Sequence, residues 1–149
     1  CQIVEELSVL IKTSRPVPEL ILRETGLSQE EIDGQGLDLA DAWEKLLGFV
    51  GSHPVFIHHA PFDQRFLEEL GKKTGVKFQN RIFDTLDITR ETWPDVGPQN
   101  TSVLSHHVGY MRSGNRAGDH AKIVLAVMAA AREHAWQACL GTSDETARH

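Results

Sequence analysis

The residues best suited to chemistry lie together in His58-His59-Ala60-Pro61-Phe62-Asp63-Gln64-Arg65-Phe66-Leu67. A short apolar run, Pro54-Val55-Phe56-Ile57, leads into the two histidines, and its composition is that of a buried strand. Pro61 then opens a helix, because proline in a first turn lacks only an amide that would have no partner there. Asp63 falls in that first turn, at the carboxyl end of a strand, where α/β folds place their sites. A carboxylate held there can ligate a divalent cation through oxygen. The same charge can equally serve only the positive end of the helix.

Other residues carry the same double reading. His58 and His59 can approach a metal or a phosphate, or can be simply hydrogen-bonded, which is the reading given to His59. The sequence has eight histidines, and their scatter matches no zinc spacing. His106-His107 lies on a predicted helix, as surface or filling. Trp43, Trp93 and Trp136 can stack on bases, but Trp43 and Trp136 stand at the helical spacing of core residues. Arg112, Arg116 and Lys122 can meet a phosphate backbone or remain solvated.

Residues 3–11 alternate as a strand, with Ile3, Leu7, Val9 and Ile11 on one face, and Ser14-Arg15-Pro16-Val17-Pro18 breaks it. A short helix is predicted over 18–25, ending at Gly26. Ser28 with Glu31 forms a capping box for a second helix. Asp38 caps a third over 39–50, with Leu39, Ala42, Trp43, Leu46, Leu47 and Val50 inward. A strand follows at 54–58, then a helix from 61 with Phe62, Phe66, Leu67 and Leu70 on one side. A second strand is predicted at 78–83, and Asp84 caps a helix over 85–92. Asn100 or Thr101 begins a helix ending near Gly109. The last helix runs from 117 to about 139 with Ile123, Val124, Val127 and Met128 inward, before a polar tail over 141–149. Interleaved strands and helices give an α/β fold.

Composition agrees with one globular domain: 149 residues, 40% hydrophobic and 24% charged. No apolar run approaches the roughly 20 residues of a membrane span, and the start is acidic, unlike a signal peptide. The net charge of −6 argues against a broad basic surface for duplex binding, though not against a nuclease that meets phosphate through metal ions. Cys1 and Cys139 stand alone at opposite ends, without a disulfide framework, as expected of a cytoplasmic protein.

His58 to Leu67 resembles the second motif of the DEDDh (DnaQ-like) 3′–5′ exonucleases of proofreading-subunit type, with His59 where Asn is commoner. The resemblance extends over roughly residues 3–135. Glu5-Glu6-Leu7-Ser8-Val9-Leu10-Ile11, Arg15-Pro16-Val17-Pro18 and Thr25-Gly26-Leu27-Ser28 are similar to the family's third strand and the segment after it. Asp84-Thr85-Leu86 resembles its Asp-Thr-Leu element, and Asn115-Arg116-Ala117 stands at its third motif. The resemblance implies a ribonuclease H-like fold, a mixed sheet flanked by helices, with residues 1–140 a partial exonuclease domain and 141–149 its tail.

It also implies two-metal hydrolysis: four carboxylates hold two Mg²⁺ or Mn²⁺ ions about 4 Å apart, and a histidine acts as general base. Asp63 matches the third carboxylate and is the expected metal ligand. The Asp-x-Glu motif has no counterpart, so the chain is expected to lack the family's first two strands. In the third motif the base becomes Asn115 and the fourth carboxylate His120, while Asp119 is one residue, about 100°, out of register. The catalytic positions are thus Asp63, Asn115, Asp119 and His120, with His58, His59, Phe62 and Arg116 beside the substrate, a single-stranded nucleic-acid 3′ end. Polymerase subunits are the expected partners, and this chain alone is expected to be inactive. Missing strands would leave edges that pair residues 3–11 with 54–58 or join two copies as a homodimer. The rival reading is a degenerate module that binds nucleic acid or a polymerase-type partner without cutting.

Overall fold

A computed structural model describes the backbone of residues 2–145 and the side chains up to residue 138. Cys1, the side chain of Cys139 and tail residues 146–149 lie outside the described residues. The described chain is α/β, with seven helices and two strands.

Local sequence signals account for most helix ends. Helix α1 (Glu19–Thr25) follows Pro18 and stops at Gly26, whose φ of 67° is left-handed. In α2 (Gln29–Gln35) the Ser28 hydroxyl accepts the Glu31 amide at 3.0 Å. Asn100 caps α6 (Thr101–His107) by accepting from the Val103 amide at 2.9 Å. Asp38 occupies the N-cap position of α3 (Leu39–Val50), but its side chain makes no cap bond; it lies 4.0 Å from Lys12 Nζ. The last helix, α7 (Ala117–Glu145), continues past the expected end near 139, so the first residues of the expected tail are helical.

The strands depart most from expectation. Residues 3–11 form no strand; they make one parallel bridge, Ile11 to Leu37, through Lys12 N–H to Leu37 O at 2.9 Å and Leu37 N–H to Leu10 O at 2.8 Å. They do not pair with the 54–58 run. Alternation describes a segment's faces but does not supply the neighbour whose amides complete a ladder. The expected mixed sheet is, among the described residues, a two-stranded parallel one: β1 (Val55–Ile57) beside β2 (Ile82–Asp84), in register Val55–Ile82, Phe56–Phe83, Ile57–Asp84. The first half of the expected 78–83 strand is instead held by a side chain, since Asn80 Nδ2 donates to Gly51 O and His53 O, each at 2.8 Å. Helix α4 (Ala60–Thr74) is the crossover between the strands, as parallel neighbours require.

One apolar cluster, Leu104, Ile123 and Val127, lies where α6 meets α7, with Trp93, Val108, Tyr110 and Met128 packed on it. Helix α5 (Thr85–Thr92) also packs along α7. Elsewhere Trp43 of α3 is buried, its indole N–H donating to Val76 O at 2.8 Å and its ring tilted against Phe78. The expectation that Trp136 packs in the core fails, since it is exposed on α7. Phe62 and Phe66 of α4 share a side as expected, touching one another at a centroid distance of 5.3 Å, but that side is exposed there. Helical spacing marks a shared face, but that face is core only where another element covers it. No helix among the described residues is long and apolar enough to cross a membrane.

Candidate functional site

The carboxyl ends of β1 and β2 bring the second motif together. Between β1 and α4 the chain turns at His59, whose φ of 62° is left-handed. Among side-chain-bearing residues Asn, Asp and His tolerate that region best, which suits the histidine found here. Asp84, at the end of β2, holds the turn. Its Oδ1 accepts from the His59 amide at 3.0 Å and the Leu86 amide at 2.9 Å, and its Oδ2 from the Ala60 amide at 3.0 Å. One carboxylate thus caps α5, as expected, and also secures the entry into α4.

His58 is committed through both ring nitrogens. Nε2 lies 2.7 Å from Gln99 O; a carbonyl can only accept, so this nitrogen carries a proton. Nδ1 lies 3.0 Å from the hydroxyl of Thr85, which is fully buried. His58 therefore bridges the strand end, the start of α5 and the loop before α6.

A cleft of about 700 Å³ opens here, lined by His58, His59, Arg90, Gln99, Asn100 and His120 among others. The structure thus places His120, in the first turn of α7, on the same cleft as His58 and His59. Gln99 Oε1 is buried without a protein hydrogen-bond partner. Asp63 stands in the first turn of α4 but does not line this cleft. Burial pushes its carboxyl above the ordinary range, while a bond to its own backbone amide and the nearby His59 act in the opposite sense.

The rest of the third motif lies elsewhere. Asp119 accepts from Ser113 Oγ at 2.7 Å and from the Arg116 amide at 3.0 Å, and these bonds hold its carboxyl below the usual range, the Ser113 bond foremost. This is the return half of a capping box at the start of α7. A Cβ on Gly114 would fall 2.5 Å from Asp119 Oδ2, so a larger residue there would require the Asp119 carboxylate to shift. Asn115 lines a separate surface hollow with Arg112, Ser113 and Gly114. The Arg116 guanidinium turns to Glu31 and Gly26 O, and Lys122 Nζ pairs with Glu6 at 2.8 Å. Phe62 is exposed at the start of α4.

These side chains do not fit a pair of divalent ions. Asp84 and Asp119 spend both oxygens on protein donors, and both nitrogens of His58 are bonded. Among the described residues no group of three or more His, Cys, Asp or Glu is disposed to hold a metal. The sequence reading missed Gln99, whose carbonyl sets the His58 tautomer, and Glu31 as the partner of Arg116. Neither belongs to a motif, and in the sequence Glu31 shows only as half of a capping box.

No protein-family model matches the chain. It is 25% identical over 128 residues to the DNA polymerase III PolC-type of Clostridium perfringens, covering 85% of this chain and 9% of that protein. It is 26% identical over 136 residues to the DNA polymerase III subunit epsilon of Aquifex aeolicus, covering 90% of this chain and 67% of that protein. Against the PolC-type protein of Thermotoga petrophila the identity is 32% over 90 residues, 60% of this chain and 6% of the relative. The chain therefore spans less than a tenth of the length of these PolC-type relatives and about two thirds of the epsilon subunit. In sequence the chain is similar to DNA polymerase III proteins, of both the PolC type and the epsilon subunit.

Proposed function

We propose that the chain is an exonuclease-family domain of the DnaQ-like, ribonuclease H-like kind, acting at single-stranded nucleic-acid 3′ ends beside a polymerase. Residues 1–140 are its domain unit. The observation that carries this reading is the junction of β1 and α4: a segment that resembles that family's second motif is folded as strand, left-handed turn and proline-opened helix, with Asp63 in its first turn. The relatives' names, DNA polymerase III PolC-type and subunit epsilon, support a polymerase setting. In this reading Phe62 flanks the strand and His58, His59 and His120 line its terminus, while the Arg116 guanidinium, bonded to Glu31 and Gly26 O, is not free to meet it.

The same 149 residues by themselves are non-hydrolytic. They hold one matched carboxylate, Asp63, and Asn115 lines a different hollow from His120. That separation also favours the second reading, a binding module that does not cut. Fluorescence anisotropy with single strands bearing a free 3′ end, compared with circular strands, tests the first part. We expect a preference for the free end and a roughly tenfold loss in Phe62→Ala, the scale of one stacked base. Equal binding to both, or none, would overturn the assignment. A 3′-labelled strand with Mg²⁺ or Mn²⁺ tests the second part: the label should stay, and metal-dependent release abolished by Asp63→Asn would refute it.

A further inference from the structure

Arg116 and Glu31 do not line the cleft, but they meet at the start of the helix that carries His120 into it. Arg116 Nη1 donates to Glu31 Oε1 at 3.0 Å and Nη2 to Glu31 Oε2 at 3.2 Å, a two-pronged pair across 85 residues of sequence. Nη2 also donates to Gly26 O at 2.9 Å. Each partner is itself fixed. The Glu31 backbone is held by the Ser28 cap, and the left-handed conformation of Gly26 ends α1 beside it. On the other side, the Arg116 amide is held by Asp119, and Arg116 O accepts from the amides of Asp119 and His120 at 3.0 and 3.3 Å. Side-chain exposures of 49% for Arg116 and 24% for Glu31 set this pair apart from fully solvated surface pairs.

We propose that Arg116 and Glu31 form a positioning clamp that fixes the start of α7, and thereby the residue of its first turn that meets the cleft. Planar two-point pairing restrains the guanidinium in orientation as well as position. One residue of slippage in α7 would rotate the first turn by about 100° and take His120 away from His58 and His59. The clamp ties the turn after α1 to the Asn115-Arg116-Ala117 segment, and the two segments also line common hollows, Thr25, Leu27 and Glu31 with Arg116 and Ala117 in one, Thr25 and Gly26 with Asn115 in another. Its bearing on activity rests on the exonuclease reading; its geometry does not.

Nuclear magnetic resonance of the whole chain tests it without any assay of activity. Glu31→Gln keeps the size and removes the charge; Arg116→Lys keeps the charge and removes the fork. Both should shift the His120 ring signals and speed amide exchange at Asp119, His120 and Ala121 roughly fivefold, the loss of a partly buried pair. Exchange in α3 and α4 should stay as it was. Reversing the pair, Glu31→Arg with Arg116→Glu, should recover part of the effect. Unmoved His120 signals in both single variants would overturn the clamp, as would exchange that rises equally in α3, the mark of general destabilisation. Failure of the strand-binding experiment with these results intact would count against the exonuclease reading alone.

Discussion

Asp63 and Asp119 are both first-turn aspartates, yet their surroundings act on them with opposite sign. Burial raises the carboxyl of Asp63 above its ordinary value of 3.8, so the folded state binds that proton more tightly than the unfolded chain does. Its charge therefore costs stability as pH rises through 3.8 towards the folded value, and the cost is complete above it. Asp119 is lowered by Ser113 and the Arg116 amide, so its contribution is complete above 3.8 and is lost as pH falls through its folded value. At pH 7 we expect Asp63→Asn to melt slightly higher than the parent and Asp119→Asn to melt lower. Both differences should shrink in acid. Thermal melts from about pH 2 to 7 read this directly. An Asp63→Asn variant less stable at every pH would mean that the residue serves its helix alone. Asp63 was legible because Pro61 and the strand before it mark the helix start. The bonds to Asp119 were not, because Ser113 and Gly114 carry no signature of what they close over.

Most helix ends were legible, whereas of the strands 54–58 and the end of 78–83 were legible and 3–11 was not, for a reason of range. A helix end is written within four residues, as Ser28, Asn100, Gly26 and the Asp84-Thr85-Leu86 element show. A strand depends on a neighbour chosen elsewhere in the chain, and for residues 3–11 the structure supplies only a single bridge. For the same reason His58 could be marked as a site residue while its partner, a backbone carbonyl 41 residues away, could not. Asp84 works at this scale, joining β2, α5 and α4 through three amides. Asp84→Ala should leave those amides without their acceptor and cost about 2–3 kcal/mol in urea unfolding. Asp84→Asn keeps one oxygen and should fall between Ala and the parent. Equal losses in the two variants would show that the carboxylate's second oxygen contributes nothing.

At the scale of the molecule, the two three-residue strands and one compact cluster leave large apolar groups in water. Val4 is 97% exposed, Phe62 61% and Phe66 58%, and Phe56 is 47% exposed while stacked on Phe83 at 5.1 Å. Exposed rings beside a short, unprotected strand pair favour association, against which the net charge of −6 offers only screened repulsion at ordinary salt. The 149-residue chain should therefore associate in a concentration-dependent way. Sedimentation from low to high micromolar concentration should show species heavier than 16.6 kDa. Placing a charge on the strand, Phe56→Lys, should move the population towards monomer, because a lysine blocks both stacking and edge approach. Phe66→Lys should do so less if association runs through the strands, and more if it runs through the aromatic pair on α4. A parent chain that stays monomeric across the range, with both variants identical to it, would mean that these exposed rings do not drive association.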